Sequence, residues 1–305
     1  MDHCGIPPDA VPSAVHRGFR SADSRLLAPT SMASTLRSVP ERAALDVRPL
    51  ASLAEYRACA ALQAEVWGAD FECVPASVLQ VATYVGGICL GAFLPSGELC
   101  GLVFGLSGSQ DGVPLHWSHL LAVRETARNL GVGRLLKEKQ RELLASRGIP
   151  EMRWTFDPMI VKNAYLNLNR LGARVVKYVP DMYGITESPL HHGLATDRLV
   201  VAWSTSPDAT PATPHLDATS APVLTLEPQA GDDVLTAGDR RPPTVWIEVP
   251  TEFQRLLERS PRSASSWHGA VRNHFLWALE NGYAVAGLHR DPASERSYYV
   301  LDRTD

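Results

Sequence analysis

The most informative feature of this sequence is a strand, a turn and a glycine-rich helix start that follow one another between Leu115 and Leu136 (LHWSHLLAVRETARNLGVGRLL). The helix opens with a Gly-x-Gly step at Gly131 and Gly133. The first N–H groups of a helix are unpaired, carry the positive end of the helix dipole, and approach a phosphate closely where side chains are absent. The segment therefore predicts a pyrophosphate-binding turn.

The overall composition excludes several classes of protein. The chain of 305 residues is 45% hydrophobic and has no apolar run near about 18 residues, so we expect no membrane span and no membrane partner. Its cysteines are interpreted as the reduced thiols of a cytoplasmic protein. Its net charge of -4 offers no basic surface for nucleic acid. An odd number of cysteines without a C-x-x-C pair predicts neither a metal site nor a disulfide framework. They are Cys4, Cys59, Cys73, Cys89 and Cys100.

Two proline-rich stretches divide the chain. Residues 1–43 are expected to be a disordered leader, and residues 206–243 a Pro/Ala/Thr-rich linker that contains one strand-like run, VLTLE at 223–227. They separate an ordered domain at 44–205 from a C-terminal block at 244–305. This block is too small to bury a large core alone, so we expect it to pack on the domain or to join two copies as a homodimer.

The periodicity of the domain alternates between helix and strand. Helices are predicted at 50–67, after Pro75, after Gly133 and at 160–171, and strands in a hairpin around 95–97 and at 115–123, 152–156, 174–179 and 198–204. This order predicts an α/β fold with helices around one mixed sheet. The C-terminal block reads as a strand, two helices and two further strands.

The helix after Gly133 is predicted to be amphipathic. Its apolar residues are expected to face the core, and four charged residues to stay in solvent. The apolar set is Val132, Leu135, Leu136, Leu143 and Leu144, and the charged set is Lys137, Glu138, Arg141 and Glu142.

Six residues of the turn, RNLGVG at 128–133, fit the R/Q-x-x-G-x-G/A signature of the GNAT acyl-CoA N-acyltransferases, after a V-R-E step at 123–125. The order of elements over about residues 45–205 also resembles that superfamily. LLKEKQR at 135–141, WTFDPM at 154–159, NAYLNLNRLGA at 163–173 and the run at 183–203 resemble one predicted-acetyltransferase branch of it.

The resemblance implies a mixed central sheet flanked by helices, with a small α+β C-terminal extension. It also implies that an amine attacks the thioester of acetyl-CoA or another acyl-CoA, such as succinyl-CoA. The acceptor is expected to be a small molecule, for example an amino acid. Such a reaction needs a base, a donor to the oxyanion and a proton for the thiolate. Two alternatives remain: an acyl-CoA-binding sensing or scaffolding module without turnover, and a protein N-acetyltransferase.

The cofactor-binding residues implied by the resemblance lie at the strand end and in the turn. Leu121 and Val123 belong to the strand, and the backbone N–H of Val123 is expected to contact the thioester carbonyl. The alternative for the turn is a plain helix start with arginines in solvent. The turn residues are Arg128, Asn129, Leu130, Gly131, Val132, Gly133 and Arg134.

Period-two alternation on the strand predicts two faces. One would carry Trp117, His119, Leu121 and Val123, and the other His116, Ser118, Leu120 and Ala122. We expect His119 to be the base, because an imidazole titrates near neutrality. Its alternative is a half-buried histidine bonded to a neighbouring carbonyl. Trp117 is assigned to the acceptor pocket.

Asn163, Asn167 and Arg170 are spaced i, i+4, i+7, which predicts one shared helix face. By the resemblance, the two asparagines would bind the pantetheine arm; the alternative is a solvated polar face.

Many members of the superfamily carry a thiolate-protonating tyrosine where this chain has Leu168. Tyr165 and Tyr183, with Tyr178, are the replacement candidates, each with a packing role as its alternative.

The acceptor pocket is expected to be bordered by residues that follow the later strands. Asp157 and Arg198 are its candidate substrate ligands, with His191 and His192 nearby. The alternative for Asp157 is a turn or helix cap, and for Arg198 a salt bridge to Asp197 or another acid.

Overall fold

The computed structural model describes residues 45–68, 72–184, 193–206, 221–226, 241–291 and 296–304, all inside one compact unit at 40–305. The expected leader at 1–43, most of the expected linker, and His191 and His192 lie outside the described residues. In this part of the chain no helix combines the length and the apolar character needed to cross a membrane.

The described residues of the domain form seven strands and four α-helices. Its strands are β1 (Asp46–Pro49), β2 (Ile88–Phe93), β3 (Leu99–Gln110), β4 (Val113–Val123), β5 (Glu151–Phe156), β6 (Arg174–Val179) and β7 (Arg198–Ser204). Its helices are α1 (Leu53–Trp67), α2 (Ala76–Tyr84), α3 (Val132–Ser146) and the short α4 (Val161–Ala164), which continues into a π-helix (Tyr165–Arg170).

The seven strands form one mixed sheet in the order β1-β2-β3-β4-β5-β7-β6, where only β4 and β5 pair in parallel. The predicted α/β class with a mixed sheet flanked by helices is therefore confirmed. Strand β1 is missing from the predicted order; it is short and pairs at the sheet edge with β2.

The two sheet faces bury separate apolar clusters. On one face, α1 and α2 cover a cluster that includes Leu62, Leu79 and Phe104. On the other face, α3 and α4 cover a larger cluster that includes Leu136 and Trp154. A strand side chain can therefore be assigned to a face by the helices that it contacts.

The C-terminal block adds a second sheet. Its strands are β9 (Thr244–Val249), β10 (Tyr283–Asp291) and β11 (Arg296–Arg303), joined by β8 (Val223–Leu224) from the linker in the order β10-β11-β9-β8. Its helices are α5 (Phe253–Arg259) and α6 (Pro261–Glu280). The predicted strand inside the linker is confirmed at β8.

The block packs on the domain, as one of the two expectations had it. Phe275 of α6 stacks on Tyr178 of β6 with ring centroids 5.3 Å apart, and the Tyr299 hydroxyl donates to the Pro158 carbonyl at 2.7 Å. One apolar cluster runs through both parts. The block thus buries its core against the sheet side covered by α4.

Candidate active site

The first part of β5 pairs with residues near the middle of β4, and the two strands then separate. Their paired residues are His116 with Met152 and Trp117 with Arg153. Beyond this point the described residues of the two strands form no further pairs. We call the resulting gap, between Ser118–Val123 of β4 and Trp154–Phe156 of β5, the fork.

A β-bulge at His119 marks the closed end of the fork. Phe104 of β3 pairs with Leu120 and Gly105 pairs with Ser118, so His119 is an extra residue on β4. An extra residue reverses the alternation of all residues that follow it. The His119 side chain is exposed, its ring lies edge-on to Phe104 on the α1/α2 side, and partial desolvation lowers its pKa.

The bulge makes the predicted faces of β4 wrong. Leu121 and Val123 pack with the cluster under α3, whereas Leu120 and Ala122 pack with the cluster under α1 and α2. His116 and Ser118 bond to α3. Of the predicted set, His119 therefore lies on the face opposite to Leu121 and Val123.

The N-terminus of α3 meets β4 at the open end of the fork. Asn129 and Gly131 both have left-handed backbones, with φ of 67° and 78°. No described side chain caps the helix. A Cβ on Gly133 would lie 3.5 Å from Leu121 Cδ2, so the strand packs directly on the first helical turn. Arg128 is exposed, and Arg134 pairs with Glu138 at 2.6 Å.

At the end of β4, the backbone groups that face the fork pair with no strand among the described residues. Arg124 N–H donates to the Cys100 carbonyl of β3 at 2.8 Å. Because N–H groups of successive strand residues point in opposite directions, the N–H groups of Val123 and Leu121 point away from β3, toward the fork. The predicted backbone donor thus faces the gap.

A chain of buried polar side chains lies at the closed end of the fork, on its α3 side. Lys137 Nζ donates to Ser118 Oγ at 2.7 Å and lies 3.9 Å from the ring centroid of Trp154. Trp154 Nε1 donates to Asn167 Oδ1 at 3.0 Å. The prediction that Lys137 stays in solvent is wrong, because its side chain is only 3% exposed. Burial lowers the pKa of Lys137 well below its usual value.

His116 and Gln140 continue this chain away from the fork. Ser118 Oγ donates to Gln140 Oε1 at 2.7 Å, and Gln140 Nε2 lies 3.0 Å from His116 Nε2. Ser107 Oγ donates to the Gly86 carbonyl and therefore accepts from His116 Nδ1 at 2.9 Å. These bonds are consistent with a neutral His116 protonated at Nδ1. Desolvation, with the charges of Lys137 and Arg147, lowers the pKa of His116 to about 4.

Lys137 and Gln140 were not predicted from the sequence as candidate site residues. A signal was present: Gly133, Lys137, Gln140 and Leu144 are spaced four, three and four residues apart, so they lie along one stripe of α3. Three of these four are buried.

The two asparagines that were predicted to share a face differ in exposure. Asn163, in α4, is exposed, whereas Asn167, in the π-helix, is buried and accepts from Trp154. Tyr165 is exposed, with the Arg170 guanidinium 5.4 Å from its ring centroid. Of the two asparagines, only Asn163 therefore remains open to a ligand.

Three candidate site residues, Asp157, Arg198 and Tyr183, lie together at the end of β5. Arg198 lies 3.8 Å from Asp157 and its guanidinium is 5.4 Å from the Tyr183 ring centroid. The Tyr183 hydroxyl is 3.3 Å from Thr155 Oγ1. Asp157 Oδ1 also accepts from Met159 N–H at 2.8 Å, which closes a turn. Trp117 is partly buried at the closed end of the fork.

Asp197 holds the C-terminal block on the domain. Its carboxylate is buried and accepts from the Tyr178 hydroxyl at 2.6 Å, from Asp181 N–H at 2.9 Å and from Arg272 of α6 at two positions. His268 is 3.7 Å away. Burial alone would raise the pKa of Asp197, but the bonds from Arg272, Tyr178 and Asp181 outweigh it and the pKa is lowered. Tyr178 is thus engaged in the interface.

Comparison with known proteins finds similarity in solved structures. No family model matches the chain, and no curated protein matches it. A GNAT-family acetyltransferase from Streptococcus pneumoniae is 18% identical, with a TM-score of 0.42, and the match covers 52% of this chain and 99% of that one. At these values the similarity assigns neither a family nor an activity.

Two further structures match at a comparable distance. The phosphinothricin acetyltransferase of Sinorhizobium meliloti with acetyl-CoA is 14% identical, with a TM-score of 0.44 and coverage of 55% and 93%. The ribosomal-protein-S18-alanine N-acetyltransferase of Escherichia coli is 14% identical, with a TM-score of 0.43 and coverage of 54% and 96%. All three matches cover about half of this chain.

Proposed function

We propose that the chain transfers an acetyl or other short acyl group from acyl-CoA to the amine of a small molecule. The observation that supports this most is the fork, with an uncapped helix N-terminus at its open end and an exposed histidine at its closed end. A thioester placed in the gap would be reached from the α1/α2 side by an amine and from the α3 side by buried donors.

The α3 N-terminus suits the pyrophosphate of the coenzyme. Its first N–H groups have no capping side chain among the described residues, and Gly131 adopts a left-handed backbone that leaves them accessible. Arg128, exposed beside them, can add a charge-assisted bond. The open N–H groups of Leu121 and Val123 would bind the amides of the pantetheine arm, together with Asn163. The thioester carbonyl, first expected at Val123, would then lie nearer the closed end of the fork.

The α1/α2 side of the fork suits the acceptor. In this proposal His119 takes the proton of the amine, directly or through water, and Trp117 borders the pocket. Arg198 would bind a carboxylate of the acceptor in exchange for its long contact with Asp157, and Tyr183 would line the same end.

Release of free thiol from an acyl-CoA in the presence of a panel of small amines tests the proposal. His119→Ala is expected to lower kcat about 100-fold while the affinity for CoA changes little. Arg128→Gln is expected to weaken CoA binding, with the exposed Arg57→Gln of α1 as its matched control. Coenzyme binding without thiol release from any amine would favour a sensing module, and turnover only on peptides would favour a protein N-acetyltransferase.

A further inference from the structure

We propose that Lys137 donates the proton taken up by the coenzyme A thiolate as the thioester is cleaved, an assignment that rests on the proposed function. Lys137 would then be a catalytic residue. It would supply the proton that Leu168, which is apolar, cannot supply.

The position of Lys137 carries the assignment. The last paired residues of β4 and β5 are Trp117 and Arg153, and Ser118 and Trp154 are the first on each strand to separate. The Lys137 amine contacts both of them, at 2.7 Å and 3.9 Å. It therefore lies where the two strands part, at the inner end of the gap that would hold the sulfur.

The bonding of Lys137 leaves it able to donate. An ammonium group has three N–H donors. Ser118 Oγ accepts one of them, and the face of the Trp154 ring stabilises the positive charge. Among the described residues no carboxylate pairs with Lys137. A thiolate in the fork would supply the missing negative partner.

The neighbouring groups are poorer acids for this position. Leu168 is apolar and buried, and the Tyr178 hydroxyl donates to Asp197 in the interface with the C-terminal block. His116, the titratable group that faces this chain from β4, is neutral with both ring nitrogens bonded. Tyr183 contacts Thr155, on the other face of β5 from Trp154.

The chemistry balances. The acceptor nitrogen forms a bond to the acyl carbon, the carbon–sulfur bond breaks with its electron pair on sulfur, and Lys137 Nζ gives its proton to that sulfur. The acceptor ammonium loses two protons in total; one leaves with solvent, and the other replaces the proton of Lys137 when water enters after product release. Burial lowers the pKa of Lys137 well below its usual value, which makes its ammonium group a stronger acid toward this leaving group.

The ionisation of the coenzyme thiol in the bound state tests the proposal without turnover. CoA labelled with ¹³C next to sulfur would be titrated by NMR on the full chain, in the wild type, in Lys137→Met and in the control Lys139→Met. Lys139 lies two residues further along α3 and pairs with Glu142 in solvent. A cation within about 4–6 Å favours the thiolate, so Lys137→Met is expected to lower the ionisation constant of the bound thiol at least about tenfold, and Lys139→Met to leave it unchanged.

Kinetics and folding controls complete the test. With acyl-CoA and an amine, Lys137→Met is expected to lower kcat about 100-fold with little change in KM for the donor. Equal thiol ionisation in the wild type and Lys137→Met would overturn the role of Lys137 and leave the proposed function standing. Failure of the wild type to bind CoA would overturn both. If Lys137→Met melts early, Lys137→Arg is substituted, which keeps a cation but gives up no proton near neutrality; a wild-type rate in that variant also overturns the proposal.

Discussion

Lys137 and Asp197 both have a buried ionisable side chain, but the groups that surround the two side chains differ. The Asp197 carboxylate accepts from Tyr178, Asp181 N–H and two nitrogens of Arg272. Lys137 donates to one hydroxyl and lies over one ring. A buried charged group whose hydrogen-bonding positions are all filled stabilises the interface in which it lies. A buried charged group with unfilled positions can still bond to a ligand. Asp197 belongs to the interface with the C-terminal block, and Lys137 belongs to the fork.

The largest expected effect separates the two residues by stability. Arg272→Met leaves the Asp197 carboxylate buried without its main partner and should lower the free energy of unfolding by about 3–5 kcal/mol in urea denaturation. Lys137→Met, which removes a desolvated amine, should cost far less. Arg262→Met, at an exposed position of α6, is the control. Equal losses at Arg272 and Lys137 would remove the contrast.

A pH dependence is expected from the polar chain on the fork side. His116 has a pKa of about 4 in the folded protein, against an ordinary 6.5, so below pH 6.5 the unfolded chain binds a proton that the native one does not. Stability should therefore fall as the pH drops from 6.5 to 4, by on the order of 3 kcal/mol. In His116→Gln this loss should disappear from unfolding curves measured across that range, and in the control His289→Gln it should remain.

Gly105 tests how firmly the same chain is packed. A Cβ at Gly105 would overlap His116 Nε2 and lie 2.7 Å from the Trp117 carbonyl, so Gly105→Ala should cost about 2 kcal/mol by overpacking. Gly108, on the same strand, has open space around its Cβ position. Gly108→Ala should therefore leave the thermal midpoint nearly unchanged, and a similar loss in both variants would indicate a general strand effect.

The smallest effect concerns redundancy at Asp197. Tyr178→Phe removes one donor and leaves Arg272 and Asp181 N–H in place, so the free energy of unfolding should fall by only about 1.5 kcal/mol. Urea denaturation beside Arg272→Met would show the difference directly. A loss as large as that of Arg272→Met would mean that the carboxylate is not saturated.

Much of the fold follows from local sequence patterns. The hairpin of β2 and β3, the strands β6 and β7, and the start of α3 after Gly131 are confirmed because alternation, turn residues and glycines act over a few residues. The order of helices and strands then leaves few arrangements for the sheet. The α/β class could therefore be predicted from local sequence patterns and the order of the elements.

The site was less predictable because its geometry depends on long-range pairing. The bulge at His119 arises from the register between β4 and β3, and no single residue of β4 indicates where the bulge lies. The burial of Lys137 depends on Ser118 and Trp154, which lie 19 and 17 residues away along the chain. The burial of Asn167 likewise depends on its bond from Trp154, 13 residues away along the chain. Local spacing misassigned each of these residues.

The extra residue of β4 acts as a phase shift between two parts of one strand. Deleting His119 would keep Ser118 opposite Gly105 and Leu120 opposite Phe104, so regular alternation would return and Leu121 and Val123 would keep their present faces. The residue that would activate the amine is therefore an insertion that leaves the strand end that would hold the coenzyme in place. Variation at this one position can remove the imidazole without moving the amides of Leu121 and Val123.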